Sequence, residues 1–255
     1  MFKSDINSSK YHYEDFTEDN YSRLLSLAMG KYNFIDYKNY KSSGKNIIWR
    51  HDIDFSVHRA HKLAIIENSM NIKTTYFLYL HSFFYNLLED EIFLLIKKII
   101  NLGHDIGLHF DTSFYNSTGC NEDYLIKMIE FEKNFLENIL NKKIIAFSLH
   151  IPESCQNSFF SKEKIFGMIN VSSDYIINNY GYCSDSNGYW RYRRLENVLV
   201  EAKDEKLQIL THPELWTPEP MSPRDRITRC IEGRAKSQHK RYDDILKNYG
   251  RENIR

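Results

Sequence analysis

Acidic and imidazole side chains recur at places where chemistry could collect: Asp52 and Asp54, His109 and Asp111, His150, Asp185, and His212. Asp52 and Asp54 close the stretch NIIWRHDID at 46–54, which opens as a short apolar run of the kind a buried strand requires. Successive side chains in a strand alternate faces, so carboxylates two residues apart project to one side. There they repel one another unless a cation or a shared proton relieves them. A divalent metal site is one resolution; a pair that caps the next helix or faces water is the other. His109 and Asp111 share a face by the same alternation, and Asp and His together suit Zn²⁺ or a similar ion.

These residues matter only if the elements that carry them converge. Strands are predicted at 46–54, 74–80, 104–111, 143–150, 182–184 and 207–212. Helices are predicted between them. The helix at 17–29 has Tyr21, Leu24, Leu25 and Ala28 on one face and Gly30 as its stop. The helix after Ser56 has the stripe Val57, Ala60, Leu63, Ala64, Ile66 and Met70, and another spans 89–102. In the helix at 121–140, Tyr124, Leu125, Met128, Phe131, Phe135, Leu136 and Ile139 are predicted to face inward. The segment 159–180 has no clear assignment. Strand alternating with helix implies βα units around a parallel sheet or barrel. In such a barrel the C-terminal strand ends meet on one face, and each chemistry-bearing residue above lies at such an end. His51, His58, His61 and His104 fall elsewhere and read as surface or supporting residues. The organisation expected is a helical extension at 1–45, a barrel at 46–216, and a helical tail at 217–255 after the prolines 218, 220 and 223. Residues 222–255 hold ten Lys or Arg against five Asp or Glu, which suits a solvated helix, an oligomer contact or an anionic-ligand patch.

Composition removes several classes. The net charge is zero, so nothing global points to nucleic acid or an acidic membrane. The 18 Tyr and 16 Phe read first as a bulky core. Cys120, Cys155, Cys183 and Cys230 lack the close spacing of a zinc knuckle or redox pair and are expected to be reduced. The first 16 residues lack the apolar core of a secretory signal, and the greasiest run, at 92–100, is too short to span a bilayer and is broken by Lys97 and Lys98. A cytoplasmic protein without a membrane span is expected, with a homo-oligomer open.

The motifs also resemble a known family, the polysaccharide deacetylases of the NodB-homology type (carbohydrate esterase family 4). The resemblance is nearest to a divergent branch linked to surface-polysaccharide biosynthesis. It is carried by RHDID at 50–54, TTYF at 74–77, GHDIGLHFD at 103–111, SLHIP at 148–152, SDSNGYWR at 184–191 and LTHP at 210–213. Order and spacing match over roughly 46–216. The fold this implies is an α/β distorted (β/α)₇ barrel. The resemblance makes Asp52 the general base, Asp54 and His109 metal ligands, His212 the general acid and Asp185 its orienting partner. Trp190, Arg191 and Tyr76 are implied substrate contacts, with Trp190 walling the pocket. The second histidine of the family's metal motif is absent, since Ser113 stands there. His150, where the family more often has an arginine, is the preferred third ligand and Asp111 the alternative. The reaction implied is metal-dependent hydrolysis, with Zn²⁺ as the metal, of an N-acetyl or N-formyl group on a nucleotide- or lipid-linked amino sugar. Arg191, Arg193 and Arg194 could then meet a phosphate. A catalytically silent, metal-free glycan-binding protein and an enzyme of another class on the same barrel are the alternatives.

Overall fold

The computed structural model describes residues 6–117, 122–151 and 158–254. Cys120, Pro152 and Cys155 lie outside them. The chain opens with α1 (Ile6–Tyr11), a 3₁₀ turn (Tyr13–Phe16) and α2 (Glu18–Met29), whose first turn is capped by the Thr17 hydroxyl accepting from Asn20 N. The strands are β1 (Asn33–Phe34), β2 (Asn46–Ile53), β3 (Thr75–Tyr79), β4 (Asp105–Phe110), β5 (Ala146–Leu149), β6 (Lys164–Ile165), β7 (Met168–Asn170), β8 (Gly181–Ser184) and β9 (Lys206–Thr211). The remaining helices are α3 (Val57–Ser69), α4 (Asp90–Asn101), α5 (Thr112–Ser117), α6 (Glu122–Leu140), α7 (Asp174–Asn179), α8 (Leu195–Glu201) and α9 (Pro223–Asn248).

Seven strands run in the order β7-β5-β4-β3-β2-β9-β8, with every neighbouring pair parallel. This is the distorted (β/α)₇ barrel expected from the motifs. β6 adds an antiparallel partner outside β7, and β1 pairs with the start of β2. No strand pairing joins β7 to β8 among the described residues. That seam is bridged by side chains: Gln208 Nε2 donates to Val171 O at 3.3 Å and accepts at Oε1 from Tyr37 Oη at 2.8 Å.

Alternation along the strands sorts the residues into two sets. Facing out, Ile53, Tyr76, Leu78, Leu108, Phe110 and Phe147 pack under the helices as the main core. Facing in, Ile48, Phe77, Ala146 and Ile169 join Tyr37, Val171, Ile176 and Tyr180 to fill the lower barrel. The register places Asp52 beside Phe77, and Phe77 beside Gly107. A Cβ on Gly107 would lie 2.4 Å from the Phe77 ring, so only glycine lets that ring fill the floor beneath His109.

Some expectations are corrected. In α6 the buried stripe is Leu125, Ile129, Leu136 and Leu140, while Tyr124 and Phe131 are 41% and 60% exposed. Phe131 instead stacks on Phe135 along the helix surface. Of the histidines expected at the surface or in a supporting place, His51 and His104 are fully buried, which rules out the surface for them. The unassigned 159–180 stretch contains β6, β7 and α7, each too short to impose a readable period. The basic tail is α9, tied down by the buried Arg226, which donates to Gly188 O and Tyr13 O, and by Arg234 on Glu89. Glu89, Asp90 and Glu91 open α4, where the helix dipole favours acids, and they present negative charge to α9.

Candidate metal and acid–base site

Asp52 lies on the inner face of β2 and Asp54 just beyond its end. Register brings His109 of β4 beside Ser148 of β5, with His150 directly after that strand. Asp54, His109 and His150 each offer one ligand atom, all within 4.8 Å of one another. His109 Nε2 lies 3.3 Å from Asp54 Oδ1 and 3.2 Å from His150 Nδ1. Asp54 Oδ1 is buried and accepts no hydrogen bond from the protein. Burial would push the Asp54 carboxyl up, but His109, His212 and His150 outweigh it and hold it below the usual range. Burial and the neighbouring His109 push the His150 imidazole down toward its neutral, lone-pair form. One carboxylate and two imidazoles around an unsatisfied buried oxygen fit a divalent cation.

The surrounding shell orients these groups. His109 Nδ1 contacts Ser148 Oγ at 2.7 Å, which leaves Nε2 for the site. Ser148 Oγ lies 3.5 Å from Asp52 Oδ1, and the buried Arg50 donates to the same oxygen from Nη1 at 3.1 Å. Asp111 is otherwise engaged. It accepts from Tyr79 Oη at 2.7 Å and from Ser113 N at 2.8 Å and Oγ at 2.5 Å. Ser113, in the first turn of α5, thus holds Asp111, the alternative ligand, through two local bonds.

Across the mouth, His212 Nδ1 meets Asp185 Oδ1 at 2.6 Å, and His212 Nε2 is 3.9 Å from Asp54 Oδ2. Asp185 is fully buried and further held by His212 N and by Trp216 Nε1 at 2.8 Å. Burial disfavours the imidazolium, but the Asp185 carboxylate overrides it and the His212 pKa is pushed up to about 10. Glu214 escaped the sequence reading, because it lies past the strand end in a 3₁₀ turn (Pro213–Leu215). It lines the same cavity and its Oε2 has no hydrogen-bond partner. Burial and the charge of Asp54 push its carboxyl well above the usual range, which favours its neutral form.

Asp52, Asp54, His109, His150, Arg191 and His212 line one cavity of about 880 Å³. Four residues expected near substrate are placed differently. Tyr76 is fully buried on the outer face, donating to Glu67 Oε2 at 2.6 Å, because its register partner His51 also faces outward. Trp190 is not among the cavity's lining residues; it stacks on Phe16 at 4.9 Å and donates to Asp15 at 2.7 Å. Arg193 and Arg194 are held by Asp204 and Asp15, leaving Arg191 as the arginine of that trio at the cavity.

No protein-family model matches the sequence, and no curated protein matches it. Solved structures to which the chain is similar include family 4 carbohydrate esterases. A family 4 acetyl xylan esterase from Clostridium thermocellum, in complex with a cobalt ion, has a TM-score of 0.40 at 15% identity, over 75% of this chain and 84% of that one. A family 4 carbohydrate esterase from Bacillus anthracis has a TM-score of 0.44 at 14% identity, over 84% and 86%. A family 4 pseudoenzyme from Bacillus anthracis has a TM-score of 0.41 at 13% identity, over 76% and 62%. No helix among the described residues is long and apolar enough to cross a membrane.

Proposed function

We propose that the protein is a metal-dependent hydrolase that removes an N-acyl group, acetyl or formyl being the smallest, from an amino sugar. A nucleotide- or lipid-linked intermediate of surface-polysaccharide biosynthesis, met in the cytoplasm, is the substrate class this reading favours. The observation that carries it is the buried, unsatisfied Asp54 Oδ1 facing two imidazole nitrogens, with a separate Asp–His pair across the same cavity. Asp54, His109 and His150 would hold a divalent cation, Zn²⁺ by donor type, which supplies Lewis acidity toward the acyl carbonyl and acidifies water.

Asp52 takes the proton from the attacking water as general base. Arg50 holds that carboxylate through its Nη1 contact, and Ser148 couples it to His109. His212, kept protonated by Asp185, gives its proton to the departing amine, without which an amine is a poor leaving group. Arg191 at the cavity edge is placed for an anionic part of the substrate.

The test is amine release from acylated amino sugars by Zn²⁺-loaded protein, with Asp52→Asn as the control. The expected result is turnover that falls about 10²–10⁴-fold in the variant while bound metal is retained. Turnover equal to wild type in Asp52→Asn would remove that residue from its role. Release of phosphate from phosphate esters, with no amine released, would replace this reading by another enzyme class. Saccharide binding without metal or turnover would replace it by a silent glycan-binding protein.

A further inference from the structure

With Trp190 stacked on Phe16, the phenyl and phenol rings that line the cavity are those of Phe55, Tyr180 and Tyr182. Phe55 packs on Phe84 with ring centroids 4.0 Å apart, and Tyr180 is buried. Tyr182 is 46% exposed. That exposure is unusual for its place. Tyr182 lies within β8, and the register that aligns Ile48, Gln208 and Tyr182 sets it on the inner face of the barrel. Inward side chains of a closed barrel fill one another's space. Among the described residues, however, β8 pairs with β9 alone, and the seam toward β7 leaves the ring open to the cavity. Burial pushes the Tyr182 phenol up and the Arg50 guanidinium opposes it, so the hydroxyl end is the sheltered one and the ring is bare.

A bare aromatic ring in a cavity gains by being covered. A pyranose suits it, because carbon-bound hydrogens on one face of the sugar can lie on the ring while the hydroxyls stay at the edge. Those hydroxyls need polar partners. Asn187 and Arg191, both exposed, line the same cavity and offer an amide and a guanidinium for them.

We propose that Tyr182 is the platform on which the sugar ring of the substrate stacks, at the seam between β7 and β8. This rests on the amino-sugar reading above and adds the residue that selects a pyranose.

The test is an NMR titration of N-acetylglucosamine into Zn²⁺-loaded Asp52→Asn protein, alone and combined with Tyr182→Ala, Tyr182→Leu or Tyr182→Phe. The alanine and leucine changes should weaken binding about tenfold, whereas Tyr182→Phe keeps the ring and should stay within about twofold. Leucine fills the space without a flat face, so it reads the platform even where the alanine variant unfolds. In the enzyme with Asp52 intact, Tyr182→Leu should raise KM and leave kcat unchanged. Equal saccharide affinity with and without Tyr182→Leu, or no saccharide bound, would overturn the proposal. So would binding of UDP that Tyr182→Leu weakens, without saccharide binding, since the ring would then stack a base. If wild type releases no amine yet saccharide affinity follows the ring, the platform stands and the hydrolase reading falls. If amine is released with KM unchanged in Tyr182→Leu, the hydrolase reading stands and the platform falls.

Discussion

Two clusters of acids and imidazoles lie back to back on β2, and they are built in opposite ways. On the outer face Glu67 is fully buried with both oxygens saturated. Oε1 accepts from Tyr21 Oη at 2.5 Å and His51 Nε2 at 2.7 Å, and Oε2 from Tyr76 Oη at 2.6 Å and Thr74 Oγ1 at 2.9 Å. His51 continues to Thr211 at 2.8 Å, and His104 donates to Ala64 O at 3.1 Å. On the inner face Asp54 Oδ1 has no such donor, and two imidazole nitrogens face each other at 3.2 Å beside it. The residue types are the same. What separates a structural cluster from a candidate functional one is whether the protein itself meets each buried polar atom.

The contrast can be broken most severely at Asp54. Asp54→Ala should lower Zn²⁺ affinity by more than the roughly 10–100-fold that loss of an outer-shell partner causes. A competition titration against a chelator reads this, and the metal-free protein should melt as wild type does. Glu67→Ala should do the reverse. Stranding the imidazole and hydroxyl donors should cost about 3–5 kcal/mol in urea unfolding, with metal affinity unchanged. Ser148→Ala lies between the two. It frees His109 Nδ1 and should weaken metal binding about 10–100-fold with little change in stability.

The outer cluster also has a pH signature. Burial would raise the Glu67 carboxyl, but His51 and its other donors hold it below the ordinary value of 4.5. Burial likewise holds His104 below 6.5. Both folded-state values are depressed, so the unfolded chain binds more protons on acidification. Their contribution is present above the unfolded values and is lost as pH falls through the folded ones. The urea midpoint should drop on the acid side of neutrality, and less steeply in Glu67→Gln. The smallest effect expected is at Phe131, exposed on α6, where Phe131→Ser should change stability by no more than about 0.5 kcal/mol.

Much of the inner cluster was readable because strand alternation is strict. Asp52 with Asp54, and His109 with Asp111, share a face wherever the strand lies, and strand ends in a parallel barrel converge. The preference for His150 over Asp111 came with the motif resemblance, whereas the bonds that engage Asp111 with Tyr79 and Ser113 are visible only in three dimensions. Tyr76 was misplaced because its face depends on the register against His51, which no single strand reveals. Trp190 follows a turn through Asn187 at φ 66° and Gly188 at φ 79°, and its destination beside Phe16 and Asp15 depends on the N-terminal helices. Glu214 carried no periodic signal at all.

Anomalous diffraction at the zinc edge from Zn²⁺-soaked crystals would locate the ion. One strong peak is expected within about 2.0–2.2 Å of an Asp54 oxygen, His109 Nε2 and His150 Nδ1. A peak elsewhere, or none with Asp54 left bare, would contradict that assignment.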